Sequence, residues 1–196
     1  MARGVGANSR TAIAFESAYG TNPGTGFTRM PFADNRLGAD QPLVDNELLG
    51  FGRDPIAPVK DARTVDGDII VPVDAETLGY WLKATFGAPT TTGSGPYTHE
   101  FTNGAQSLPS LTIEKQMPDV PAFLLHTGCR VNQIQWTMQR SGNVTATVGI
   151  IGKDEDKSTT TQVGSLTEPA LIRFGSFNGA VKRGGSALAN VVSADI

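Results

Sequence analysis

The stretch Val65–Gly87, VDGDIIVPVDAETLGYWLKATFG, reads as a strand running straight into a helix. Asp68 to Val73 is a short apolar run rich in β-branched residues, of strand rather than helix length. Asp74 stands where an N-cap belongs, and Glu76 places an acid in the first turn, where it suits the helix dipole. Leu78, Trp81, Leu82, Thr85 and Phe86 recur at helical spacing, which makes one face apolar and predicts that it covers a sheet. Gly87 and then Pro89 are the usual order of stop signals. No other long helix is legible. The remainder reads as strand, turn or loop.

The chain has 196 residues, 39% of them hydrophobic and 18% charged, which suffices for one core but leaves much neutral polar surface. A net charge of −3 gives no footprint for binding a nucleic-acid backbone. One cysteine, Cys129, cannot form an internal disulfide. The first ten residues lack the apolar segment of a secretory signal, and no run of apolar residues is long enough to span a membrane.

Taken in order, Thr11–Glu16 and Phe27–Phe32 read as strands, the second carrying Pro31, which suggests an edge. Between them GTNPGTG (Gly20–Gly26) is a turn cluster; Phe27 and Thr28 stand where a phosphate loop needs Lys and then Ser or Thr. Residues 33–64 show little periodicity, yet Leu43, Val44, Leu48, Leu49, Phe51, Ile56 and Val59 call for burial, against a partner or back on the chain's own domain. Tyr97–Phe101, Ser110–Met117 and Ala122–Cys129 read as further strands. Val131–Ile151 is the clearest antiparallel hairpin. One of its faces is apolar (Ile134, Trp136, Met138, Val144, Ala146, Val148, Ile150), and the other carries Val131, Gln133, Gln135, Thr137, Thr145 and Thr147 without a charge. Residues 153–168 read as a linker or loop, and 169–196 as an additional β segment, either the start of a longer C-terminal part or a strand donated to another subunit. The expectation is a mainly β, antiparallel, sandwich- or barrel-like domain over residues 1–152, with one flanking helix at about 75–86 and a long partner-binding loop at 33–64.

Candidate chemistry is sparse. His99 and His126 are far apart and lack the neighbours of a zinc site. Cys129 lies three residues from His126, a spacing that puts the two on opposite faces of a strand and makes no nucleophile–base pair. Asp66 and Asp68 share a face but read better as a turn beside an exposed edge than as a catalytic carboxylate pair. Trp81 and Trp136 fall on apolar faces, as core residues do. No catalytic, cofactor-binding or metal-ligating residue is assigned, and no cofactor is called for.

An ordered set of short motifs resembles the major tail tube proteins of long-tailed, non-contractile bacteriophages, over roughly Leu43 to Gly152. It comprises Glu47-Leu48, Gly52-Arg53-Asp54-Pro55, Val65-Asp66-Gly67-Asp68-Ile69 leading into Leu78-Gly79-Tyr80-Trp81-Leu82, then Tyr97–Phe101, Leu108–Glu114 and Gly142–Gly152. The resemblance implies a β-sandwich flanked by a helix, and a non-enzymatic virion protein. It implies hexameric rings stacked into a tube around the tape-measure protein, joined to tail-end proteins, with DNA passing through unbound. It also implies a loop that contacts a neighbouring subunit or ring, here Leu48, Leu49, Phe51, Arg53, Asp54, Pro55 and Ile56. The uncharged face of the hairpin, Gln133, Gln135, Thr137, Thr145 and Thr147, is then the candidate lumen lining. The competing readings are a β-sandwich binding module of a virion, directed at a host or a carbohydrate, and a small hydrolase. The first would expose aromatic residues at loop tips, and the second needs an acid–base pair that the sequence does not display.

Overall fold

In the computed structural model, described for residues 3–45, 48, 54, 56–139, 141–175, 182–187 and 193–195, one short 3-10 turn (Gly6–Asn8) precedes seventeen strands and a single helix. The strands are β1 (Arg10–Phe15), β2 (Phe27–Met30), β3 (Asp34–Asn35), β4 (Gly38–Asp40), β5 (Leu43–Val44), β6 (Val59–Lys60) and β7 (Thr64–Pro72). After helix α1 (Leu78–Phe86) come β8 (Thr90–Thr92), β9 (Thr98–Glu100), β10 (Leu111–Met117), β11 (Ala122–Gln139), β12 (Thr145–Gly152) and β13 (Asp154–Ser158). The last are β14 (Leu166–Thr167), β15 (Lys182–Arg183), β16 (Ser186–Ala187) and β17 (Ser193–Asp195). The mainly β, antiparallel expectation with one helix holds.

The long strand β11 belongs to two layers. Its first half pairs with β10 on one edge and β13 on the other, and β1, β2 and the short parallel strand β14 extend that layer beyond β10. Its second half pairs with β12, which pairs with β7; β3 and β4 share the outer edge of β7, and β17 lies beside the end of β11. Ile13 and Met30 of the first layer meet Ile69, Val71 and Val148 of the second in one core. The outer face of the first layer is covered too. Ala12, Ala14 and Phe27 are buried there against Val163 and Leu166. Residues 153–168, expected as a linker or loop, therefore contribute β13 and a lid.

That lid explains why β10 does not alternate as its sequence suggests: Leu111, Thr112, Ile113, Glu114 and Gln116 are all buried. Glu114 is held by three donors, Gln116 Nε2 (2.5 Å), Thr161 Oγ1 (2.7 Å) and the backbone N–H of Gln162 (2.7 Å). A carboxyl group so enclosed is retained only because its acceptors are filled.

The helix begins three residues later than expected. Asp74 is wholly buried; its Oδ1 accepts the N–H groups of Glu76 and Thr77, both at 2.9 Å, and its Oδ2 accepts the Thr77 hydroxyl. This side chain organises a turn, from which the helix starts at Leu78. Gly87, at φ 96, ends it with its N–H on Lys83 O. The buried stripe is centred on Trp81 and Ala84, with Leu78, Leu82 and Phe86 only partly covered. Tyr80 stacks on Phe15 at 6.4 Å, which fixes the helix to β1.

The 33–64 segment is not without regular structure, because β7 recruits its first part. Asp34 and Asn35 pair with Ile70 and Ile69, and Gly38–Asp40 pair with Thr64–Asp66. Gly67 (φ 148) permits this approach, since a Cβ there would lie 2.5 Å from Arg36 O. Asp66 and Asp68 are accordingly strand residues, not a turn. Trp81, 1% exposed, lies at the centre of the core. Trp81→Ala is expected to cost about 3–5 kcal/mol, as large aromatic truncations do, read as a lowered midpoint in urea titration; a loss under about 1 kcal/mol would place the helix at the periphery.

Candidate assembly surfaces

Beyond β4 the chain leaves the main sheet. Leu43 and Val44 pair with Lys60 and Val59, giving a two-stranded hairpin whose described apolar residues face solvent. Leu43, Val44, Leu48 and Val59 are each between 50% and 60% exposed. Asp54 is exposed and Ile56 half-buried; Leu49, Phe51, Arg53 and Pro55 lie outside the described residues. The hairpin base is held firmly. Arg63 Nη1 donates to Asp154 Oδ1 at 2.6 Å and to Glu155 O at 2.7 Å, and this contact holds the Asp154 carboxyl below its usual range. An exposed apolar hairpin on an anchored base is the kind of surface that marks an interaction site.

The polar face of the β11–β12 hairpin is the second surface. Gln133, Gln135 and Thr145 are exposed and Thr147 half-buried; Thr137 pairs with Thr145 in the ladder. Val131 does not belong to this face. The register shifts between Val131 and Gln133, so Asn132 is an extra residue, alternation reverses, and Val131 enters the core opposite Ile150. The face is also not free of charge once β7 is placed beside it. Asp68 stands opposite Gly149 and Asp66 opposite Ile151, both exposed. A Cβ on Gly149 would lie 3.3 Å from Asp68 Oδ1 and 3.6 Å from Gln133 Cβ, which puts the three residues on one surface. Asp34, opposite Ile70, adds a third carboxylate, paired at 2.7 Å with Arg36. Arg130 stands opposite Ile151 and stacks its guanidinium over Tyr19, 5.1 Å from the ring centre.

A second free-standing hairpin, β8–β9, was only half legible. Thr90–Thr92 pairs with Thr98–Glu100, and Thr91 Oγ1 lies 2.8 Å from His99 Nδ1. The β-branched run Thr90–Thr92 was the available signal. Near its tip Tyr97 is 63% exposed.

The titratable groups in the interior serve the fold. His126 is fully buried, with Nε2 2.9 Å from Glu155 Oε2 and Nδ1 3.3 Å from Ile113 O; burial pulls its pKa down, and Glu155 opposes that pull. Cys129 lies in the main core, where burial pushes its thiol up to about 12. Among the described residues no three His, Cys, Asp or Glu side chains gather as metal ligands would.

Solvent-facing hairpins and a broad polar sheet face stand on a core whose buried side-chain polar groups are hydrogen-bonded, among the described residues, apart from the Trp81 indole N–H, and such surfaces suit a protein that assembles with others. The chain belongs to the phage tail tube protein family, which it matches over residues 6–196. It is thus a structural tail protein and a virion component. Among solved structures, the fold is similar to a chain of the anti-feeding prophage (AFP) baseplate, a 6-fold symmetrised cryo-EM structure. The TM-score is 0.49 at 8% identity, covering 81% of this chain and 97% of that one. No curated protein matches the sequence.

With its thiolate so disfavoured, Cys129 is expected to resist iodoacetamide at pH 8 in the native chain and to react fully in urea, as followed by mass spectrometry. Rapid alkylation of the folded chain would show that the core around it opens.

Proposed function

We propose that this chain is the tube subunit of a long-tailed, non-contractile phage tail. Copies close into rings, six per ring as the sequence resemblance implies, and the rings stack around the tape-measure protein and meet the tail-end proteins. Assembly takes place in the host cytoplasm, and DNA later passes through the bore. The observation that carries this reading is the projecting hairpin, whose apolar residues are solvated in the isolated chain of a tail tube family. A closed assembly of identical copies gives such a surface a partner on every subunit.

The face formed by Gln133, Gln135, Thr137, Thr145 and Thr147 lines the lumen in this reading. DNA carries dense negative charge, and a basic lining would hold it by phosphate contacts. Neutral amides and hydroxyls flanked by Asp66 and Asp68 would let it slide. The alternative is a virion binding module for a host surface or carbohydrate. Tyr97 on the β8–β9 hairpin favours it, and a monomer that retards on a glycan column would support it.

Deleting Gly50–Pro58 should leave the circular dichroism of the β-core unchanged and abolish tubes in negative-stain images. Normal polymerisation of the deleted chain would remove Phe51, Arg53, Asp54, Pro55 and Ile56 from the role of connector. Gln135→Lys combined with Thr145→Lys should still assemble but slow DNA release from particles. Finding Gln133 and Thr145 on the outer wall of an assembled tube would overturn the lumen assignment.

A further inference from the structure

The far end of β7 carries a second apolar surface that nothing above uses. Beyond β14 the chain crosses to the start of the helix turn and is pinned there by its backbone. Ala75 N–H donates to Ile172 O (2.9 Å), Phe174 N–H to Val73 O (3.3 Å) and Val144 N–H to Phe174 O (3.3 Å). Arg173 bridges to Asp74 and Gly175 to Asn143. With the main chain tied down, Leu171, Ile172 and Phe174 still hold their side chains outward, 47% to 54% exposed. Beside them a cleft of about 230 Å³ is lined by Pro31, Thr77, Pro169, Ala170 and Leu171, with the Arg29–Glu168 ion pair at its rim.

This strap and the β5–β6 hairpin lie at opposite ends of one strand. The hairpin grows from the Thr64 end of β7, and the strap is bound just past its Pro72 end. The nine residues of β7 separate them by about 27 Å. Within one molecule the two surfaces do not meet. Each surface also carries charge: in the hairpin Lys60 pairs with Leu43 and Asp45 follows Val44, and in the strap Arg173 lies between Ile172 and Phe174, with Glu76 next to the Ala75 that holds Ile172 O.

We propose that the strap is the docking surface for the β5–β6 hairpin of a second copy, with Leu43, Val44 and Val59 seating against Leu171, Ile172 and Phe174. Donor and acceptor are different surfaces, so the contact is heterologous and repeats from copy to copy along the direction of β7. The proposal rests on the tube reading for its repetition, and it names the acceptor which that reading leaves open.

Two variants test it. Val44→Asp with Val59→Asp blocks the donor; Ile172→Asp with Phe174→Asp blocks the acceptor. All four side chains are exposed, so both variants should keep the wild-type urea midpoint. Each alone should form no tubes. Mixed in equal amounts, they retain one intact hairpin and one intact strap, so growth should stop after a single junction, a discrete species by analytical ultracentrifugation. In parallel, Val44→Cys mixed with Ile172→Cys should give an oxidised cross-linked pair that neither variant gives alone. If the wild type forms tubes but the mixtures give neither the junction nor the cross-link, the strap is not the acceptor and the tube reading stands. A Val44→Cys chain that cross-links to itself would show hairpin meeting hairpin and overturn the proposal. A wild type that forms no tubes while the mixed cysteines cross-link would keep the docking and remove the tube reading.

Discussion

The fold depends on how an eighteen-residue strand passes from one layer to the other. β11 starts in the layer of β10 and β13 and finishes in the layer of β12, so the ladder must break where it turns. The break is at Gly128, opposite the register shift between Leu111 and Ile113. Its φ of 64 is left-handed, and a Cβ there would lie 2.6 Å from Lys153 Cβ. The Gly128 N–H, displaced from the ladder, donates to Glu16 Oε1 at 2.8 Å. The same carboxyl group accepts Thr112 Oγ1 at 2.8 Å and Gly20 N–H at 2.7 Å. One side chain at the end of β1 thus closes the turn, the neighbouring strand and the first loop together. Removing it would leave three donors unpaired in a partly buried site.

Elements whose cause is local were legible. Asp74 marked the turn that leads into the helix, because its short carboxyl group bonds the N–H groups of Glu76 and Thr77, although the helix itself starts only at Leu78; Gly87 marked the exit because only a positive φ continues the chain there. The apolar face of Val144–Ile150 was legible because that strand has no bulge. What escaped depends on distant partners. Nothing around Asn132 announces an extra residue, so Val131 was assigned to the wrong face. Asp34–Asn35 and Gly38–Asp40 have little strand propensity and are strands because β7 offers an unpaired edge. The burial of Glu114 was invisible, because the residues that satisfy it lie 47 and 48 positions further on.

The candidate surfaces followed the same division. The polar hairpin face could be read from alternation at Gln133, Gln135 and Thr145, which are exposed, but not at Val131. Its charge could not, since Asp66 and Asp68 reach it from a strand nearly eighty residues earlier. The apolar content of residues 33–64 pointed to a need for burial, and the single chain leaves that need unmet at Leu43, Val44, Leu48 and Val59. The strap was read as an ordinary strand. Its lack of cover shows only when its backbone is seen bound at Asp74 and Asn143 while its side chains stay in water.

β7 is then more than a central strand. It is paired along both edges, with β12 on one side and β3 and β4 on the other, so it cannot stretch or bend independently of the sheet. One of its ends sets where the hairpin leaves, and Arg63 locks that point to β13. Its other end runs into Val73 and Asp74, which hold the strap and start the helix. Its outward side chains, Asp66 and Asp68, complete the polar face. A loop that met its neighbour through a slack tether would leave the offset between copies undefined. In the docking proposed above, the offset is instead the length of a strand held in a ladder. On that proposal, the hydrogen bonds that make the subunit rigid also set the repeat at which exposed apolar groups on one copy meet those on the next.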